Sequence, residues 1–318
     1  MWLWRSVACR QHQAPRRGLV WCLLRSRVNN LEVIVLKRIL LTGAALALFA
    51  PVAAIADPPS SGYFDINGVH MYYEIHGRGD PLIMLHGGVA ASEQFGPNID
   101  ALAKTRKVIL VHLQGHGNTK DIDRPYRFEQ NADDVAALAA KLKLASTDVL
   151  GWSYGGDSAI QLAIRHPKLV HKLVVVSAPM TSEGWYPEVL DGFSAMRKDP
   201  KTLAQTTSKS PLAKQWPNIN WETMFSKMGE LQSQSYDWSN GVAALKMPVM
   251  LVYADADAVR PEHIVAFWKA IGGGKRDAGL DGSQRPQGRL AILPNTTHYS
   301  TMDTTAVADA VAPFLAAK

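Results

Sequence analysis

Val149-Leu150-Gly151-Trp152-Ser153-Tyr154-Gly155-Gly156 is an apolar run that ends on a serine set among glycines. Asp148 to Gly151 reads as the end of a buried strand and Ala159 to Arg165 as a helix, so Ser153 falls on the turn between them. A serine there takes a strained backbone that lifts its hydroxyl clear of the sheet, and a Cβ at position 151 or 155 would collide with the turn. The N–H groups opening the next helix then face whatever Ser153 attacks, so charge developing on a substrate oxygen meets donors and the positive helix end. A glycine-rich turn that merely contains a serine would look the same, and the rest of the chain has to decide.

Working outward, strands and helices alternate. Tyr63–Ile66 and Val69–Ile75 flank Asn67-Gly68, a two-residue hairpin signal. Pro81–Leu85 reads as a buried strand ending in His86-Gly87-Gly88, residues 93–103 as a helix, and Val108–Leu113 as a strand ending in Gln114-Gly115-His116-Gly117. Phe128–Leu144 has apolar residues at helical spacing, and Leu173–Val176 is the next strand. After residue 247 come a strand at Val249–Tyr253, a helix at Pro261–Ile271 with proline in its first turn, a Gly-rich surface loop over residues 272–288, a strand at Leu290–Leu293, a loop at Pro294–Ser300 and a closing helix at Thr304–Ala317. This alternation predicts an α/β fold: a mostly parallel central sheet covered by helices on both faces, opened by an antiparallel hairpin.

Periodicity fails between Met180 and Met247, where prolines scatter and Trp185, Trp216, Trp221 and Trp238 fall. The stretch is expected to form a helical cap over the strand ends. Trp152, Trp185, Trp216 and Trp221 are expected to face substrate, the alternative for each being the protein's own core.

Residues 1–34 are rich in Arg and Trp and lack usable periodicity. Lys37-Arg38, the apolar run Ile39–Ile55 and Ala54-Ile55-Ala56 before Asp57-Pro58-Pro59 describe a secretory signal peptide over residues 37–56, with 1–34 read as lying upstream of the true start. The expectation is an exported protein, periplasmic or secreted, with no stable membrane partner once the signal is cut. The alternative is an anchor formed by residues 39–55. The domain reading is therefore a leader at 1–56, core at 57–179, cap at 180–247 and core again at 248–318.

The formal charge of +6 belongs to that leader: the remainder keeps 26 of the 34 Lys/Arg and 27 of the 28 Asp/Glu. A near-neutral body lacks the positive field that nucleic-acid binding requires. Cys9 and Cys22, the two cysteines, also lie in the leader, so the body has no thiolate metal site or disulfide. The ten histidines are scattered and include no His-x-x-x-His pair with carboxylates beside it, and there is no nucleotide-type phosphate loop. No cofactor or metal is implied.

Three apolar runs end at chemistry-bearing residues, in the order Ser153, Asp255 or Asp257, and His298. Loops at the C-terminal ends of parallel strands meet on one edge, where an open sheet binds its ligands. A serine hydroxyl is a poor nucleophile at neutral pH and needs an imidazole to take its proton; the imidazole needs a carboxylate to fix its tautomer. Gly88, lacking a Cβ, and Tyr154, next after the serine, are expected to supply oxyanion N–H groups, with His86 structural.

With these residues in view, 62–318 resembles the α/β-hydrolase superfamily, in His86-Gly87-Gly88, the Gly151 to Gly156 elbow, Asp257-Ala258-Val259-Arg260-Pro261 and His298. The resemblance selects Asp257 as the acid through its Asp-x-x-x-Pro match. It departs at His112-Leu113-Gln114-Gly115-His116-Gly117, where the family often has Asp-x-Arg-Gly-His-Gly. The implied activity is hydrolysis of a small or medium carboxylic ester or lactone, a small-molecule substrate, by Ser153, Asp257 and His298 through an acyl-enzyme. Acyl transfer, perhydrolysis and carbon–carbon bond hydrolysis would use the same three residues, and a non-catalytic ligand receptor is the rival from another class.

Overall fold

Asn67 and Gly68 take left-handed backbone, φ 48° and 86°, and so join β1 (Ser60–Ile66) to β2 (Val69–His76) through a two-residue hairpin. The computed structural model describes residues 58–317, and the leader and signal-peptide readings lie outside the described residues. β3 (Asp80–Leu85), β4 (Arg106–Val111), β5 (Thr147–Trp152), β6 (Val170–Val176), β7 (Val249–Ala256) and β8 (Arg289–Thr297) complete one sheet in the order β1-β2-β4-β3-β5-β6-β7-β8. Only β2 runs against the others among these strands.

Apolar residues on both sides of each central strand serve two cores. Ile83, Leu85, Ile109, Val111, Val149 and Leu251 face one, shared with α2 (Phe128–Lys141), α3 (Tyr154–Arg165) and α9 (Pro261–Ala270). Leu82, Met84, Val108, Leu110, Leu150 and Val252 face the other, closed by α1 (Asn98–Ala103) and α10 (Ala306–Ala316). This double burial explains why the strands read as continuous apolar runs rather than alternating ones.

Topology places the site. The chain leaves β3 toward β4, then crosses back to β5 on the other side of β3. Connections that diverge from neighbouring parallel strands open a crevice beyond their C-terminal ends. Leu85 pairs with Gly151, Trp152 with Val176 and Val176 with Val252, so the segments following β3, β5, β6 and β7 leave the sheet side by side.

Two expected elements differ. The helix over residues 93–103 is a 3₁₀ turn, Ser92–Phe95, followed by α1; Gly96 at φ 49° and Pro97 break it, because proline bars the helical continuation of the residue before it. The expected loop from Pro294 is still strand as far as Thr297, because Asp255 accepts the N–H groups of Asn295 (2.9 Å) and Thr296 (3.0 Å) and so replaces ladder bonds lost at an irregular register.

Between β6 and β7 lie α4 (Pro187–Lys198), α5 (Pro200–Thr207), α6 (Pro211–Gln215), α7 (Trp221–Gln232) and α8 (Ser239–Ala243). Proline at the first turn of α4, α5 and α6 starts each helix with its φ already set. Among the described residues no helix is long and apolar enough to cross a membrane.

Gly155 packs backbone on backbone: a Cβ there would sit 2.0 Å from the Leu85 carbonyl oxygen and 2.5 Å from that of His86. Gly155→Ala should destabilise by about 3 kcal/mol or more. Gly192, in α4 with open space around it, should gain about 0.5–1 kcal/mol on replacement by alanine. Urea unfolding midpoints of the two variants check the opposite signs.

Candidate active site

β5 ends at Trp152 and α3 begins at Tyr154, leaving Ser153 alone on the turn at φ 53°, ψ −121°. A non-glycine residue in that region carries strain of about 1–3 kcal/mol and persists only where its surroundings fix it. Here the Ser153 N–H donates to the Val176 carbonyl at 2.9 Å and its own carbonyl accepts from Asp157 N–H at 2.9 Å.

His298, just past β8, bridges the strand ends. Its Nε2 lies 3.1 Å from Ser153 Oγ and its Nδ1 3.1 Å from Asp257 Oδ1. With Nδ1–H donated to the carboxylate, Nε2 is left as an acceptor facing the hydroxyl proton. Asp257 is 1% exposed at its side chain. Both its oxygens are filled: Oδ1 also accepts from Val259 N–H (3.2 Å), and Oδ2 from Ser177 Oγ (2.6 Å) and Ala254 N–H (2.9 Å). Burial alone would push this carboxyl up, but the His298, Ser177 and Ala254 bonds hold it below its ordinary range, so it stays ionised. Asp255, the other acid considered, is exposed and engaged with Asn295 and Thr296; it belongs to the β7–β8 pairing.

His86 is fully buried. Its Nδ1–H donates to the Gly87 carbonyl (2.7 Å), and its Nε2 accepts from Leu113 N–H (3.1 Å). Burial, then the neighbouring His116, depress its basicity well below the ordinary range, so it is neutral and serves as a brace. A trans peptide sets C=O and N–H on opposite sides, so tying the Gly87 carbonyl to His86 turns the Gly88 N–H away from it. A Cβ on Gly88 would lie 3.8 Å from Tyr154 Cβ, placing the two expected oxyanion residues together. Tyr154 opens α3, where its N–H has no intrahelical acceptor.

These groups share a cavity of about 290 Å³ walled by Gly88, Trp152, Trp185, Phe193, Met228 and Tyr299 among others. A larger hollow of about 530 Å³, near Ser60, Gly77 and Lys107, lies at the opposite ends of the strands, away from Ser153 and His298. Of the four tryptophans expected to face substrate, Trp152 and Trp185 line the cavity and the other two do not. Trp221 joins Met224 and Phe225 in a cluster internal to the helical insertion, with Trp216 against it. Trp216 donates from Nε1 to Glu93 Oε1 at 3.0 Å. Both were drawn away because the insertion needs a core of its own.

Sequence reasoning missed Ser177, Gln94 and the wall from α4 and α7 (Val189, Phe193, Met196, Met228, Gln232). Only Ser177 left a signal, a polar residue directly after Val174-Val175-Val176 on the neighbouring strand.

Asp157, one turn after Ser153 in α3, is fully buried; Tyr236 O–H donates to its Oδ1 at 3.5 Å and its Oδ2 has no partner. Burial pushes this carboxyl well above its ordinary range, so the folded protein holds its proton.

A model of the alpha/beta hydrolase fold matches residues 80–193. Human Serine hydrolase BPHL is 33% identical over 134 residues, 40% of this chain and 46% of that protein, so the chain spans about half the length of this relative. AB hydrolase superfamily protein YisY of Bacillus subtilis is 30% identical over 220 residues, 61% of this chain and 80% of its own. Among solved structures, the enol-lactonase from Burkholderia xenovorans superimposes on 80% of this chain and 100% of its own with a TM-score of 0.64, at 22% identity, a likeness of fold.

For Asp157 the native state binds the proton that the unfolded chain releases above about pH 4. Its contribution to stability is therefore full at low pH and lost as pH rises toward the higher folded value. Asp157→Asn should gain stability relative to the parent as pH rises from 5 to 8, read from denaturant unfolding at each pH.

Proposed function

Because this chain belongs to the alpha/beta hydrolase superfamily, we propose that it is a serine hydrolase cleaving a small or medium carboxylic ester or lactone through an acyl-enzyme. The observation that carries the reading is His298, bonded on one nitrogen to Ser153 Oγ and on the other to a saturated carboxylate. His298 Nε2 takes the hydroxyl proton as Oγ attacks the carbonyl carbon, and Asp257 stabilises the imidazolium that forms. The Gly88 and Tyr154 N–H groups receive the negative oxygen, each donor worth roughly 3 kcal/mol in the barrier. His298 returns the proton to the leaving alcohol, then draws one from a water that attacks the acyl carbonyl; C–O cleavage frees the acid and restores Ser153 O–H. The helical insertion is the cap that closes the site. A cavity of about 290 Å³ is at the lower end for small-molecule sites, which suits a short acyl group.

Ser153→Ala should lower kcat on p-nitrophenyl butyrate roughly 10⁴-fold or more and abolish labelling by a fluorophosphonate probe, with the adduct on the parent protein mapping to residue 153 by mass spectrometry. Undiminished turnover in the variant would reject the mechanism.

A further inference from the structure

Of the residues lining the cavity beside Ser153, Tyr299 is the exposed one, at 79%; the others are buried or half-buried. It therefore stands at the mouth. Its ring meets His298 edge-on, centroids 5.3 Å apart and planes at 76°, and its hydroxyl bonds to no protein group among the described residues. The turn beneath it is tied down from both sides. Thr297 N–H donates to Ser300 Oγ (3.0 Å), and the Thr297 carbonyl accepts from Ser300 N–H (3.2 Å) and from Oγ1 of the buried Thr301 (2.7 Å). An open ring on a fixed base, next to the catalytic imidazole, is placed to meet what enters or leaves.

The chemistry gives that position a direction. His298 hands its proton to the leaving oxygen, so during acylation that oxygen must lie within hydrogen-bond reach of Nε2, itself 3.1 Å from Ser153 Oγ. The carbons attached to it then pass the aromatic rings around the imidazole. Trp152 and Trp185, at 6.0 and 5.7 Å from the His298 ring, are buried, whereas Tyr299 is open. The acyl group takes the other direction, toward the wall that Phe193, Met196 and Met228 supply from α4 and α7.

Resting on the reading of the site as a serine hydrolase, we propose that Tyr299 is the platform for the leaving alcohol and selects one bearing a flat aromatic ring, so that the preferred substrate is a short-chain acyl ester of an aryl-bearing alcohol. Two aromatic rings stacked offset or meeting edge to face gain more than their buried area supplies. A puckered ring of the same size is at least as apolar but has no π face to offer. Tyrosine suits the task because its large contact area is ordered by only two side-chain torsions.

The test compares kcat/KM on benzyl butyrate and cyclohexylmethyl butyrate, which share an acyl group and differ in whether the alcohol's ring is flat or puckered. Only acylation involves the alcohol, and kcat/KM reports the steps up to its release. The parent protein should favour the benzyl ester by about three- to tenfold. Tyr299→Phe should keep that ratio, whereas Tyr299→Ala and Tyr299→Leu should bring it to about one or below, the ratio within each variant cancelling any general loss of activity. The side chain replaced is exposed, and the leucine variant gives the same reading should the alanine variant fail to fold. Equal rates on the two esters in the parent, a benzyl preference that survives Tyr299→Ala, or its loss in Tyr299→Phe would each overturn the proposal. Calorimetric titration of both esters into Ser153→Ala protein ranks them without turnover. A parent that hydrolyses neither ester would sink the hydrolase reading, and Tyr299 would then be judged on the binding ratio alone.

Discussion

One buried carboxylate fixes the geometry on which the site depends. Asp257 accepts from His298, Ser177, Ala254 and Val259, and those partners come from the ends or following loops of β6, β7 and β8. A charge removed from water is tolerable only when its hydrogen bonds are replaced, so sheet register and side-chain position constrain each other. The imidazole of His298 inherits its orientation from that carboxylate, and Ser153 meets it across a strained turn that the neighbouring strand holds in place. Asp255, two residues earlier, does the complementary task in the open by keeping β8 paired until just before the histidine.

Departures from local preference concentrate at this edge. Ser153 and Ser177 both have positive φ at the ends of adjacent strands, and Val89, a β-branched residue, has φ 68° in the segment that follows Gly88. Gln94, Trp152, Trp185 and Gln232, which line the cavity, each hold a buried side-chain atom without a hydrogen-bond partner. Real proteins break local rules mainly where function demands it, and the surrounding sheet supplies the stability that such positions give up.

Much of this arrangement is legible in the amino-acid order. Strands buried on both faces announce themselves as continuous apolar runs, and parallel strands carry whatever follows them to a common rim, which is why Ser153, Asp257 and His298 can be read before any coordinates. Local turn chemistry is harder to read: Gly96-Pro97 breaks an otherwise plausible helix, and two aspartate-accepted N–H groups extend β8 past the proline at 294. The helical insertion is the least legible part. Of its four tryptophans Trp185 lines the cavity, Trp216 and Trp221 join an internal cluster with Met224 and Phe225, and Trp238 stacks on Tyr236, and only three-dimensional packing decides which goes where. Gln232 carries no signal at all in sequence, because an amide on a helix ordinarily points to water.

Ser153, Asp257, His298 and their braces lie at or just past the strand ends, whereas much of the cavity wall is supplied by α4 and α7, which belong to the insertion between β6 and β7. A lineage can therefore revise Val189, Phe193, Met196, Met228 and Gln232 without touching the strands, provided Gly229 goes on letting α7 pack against the backbone of α4 at Met196 and Arg197. Divergence under selection, or a combinatorial library, is freest on those five positions, and appetite for new molecules can drift there while the chemistry stays inherited.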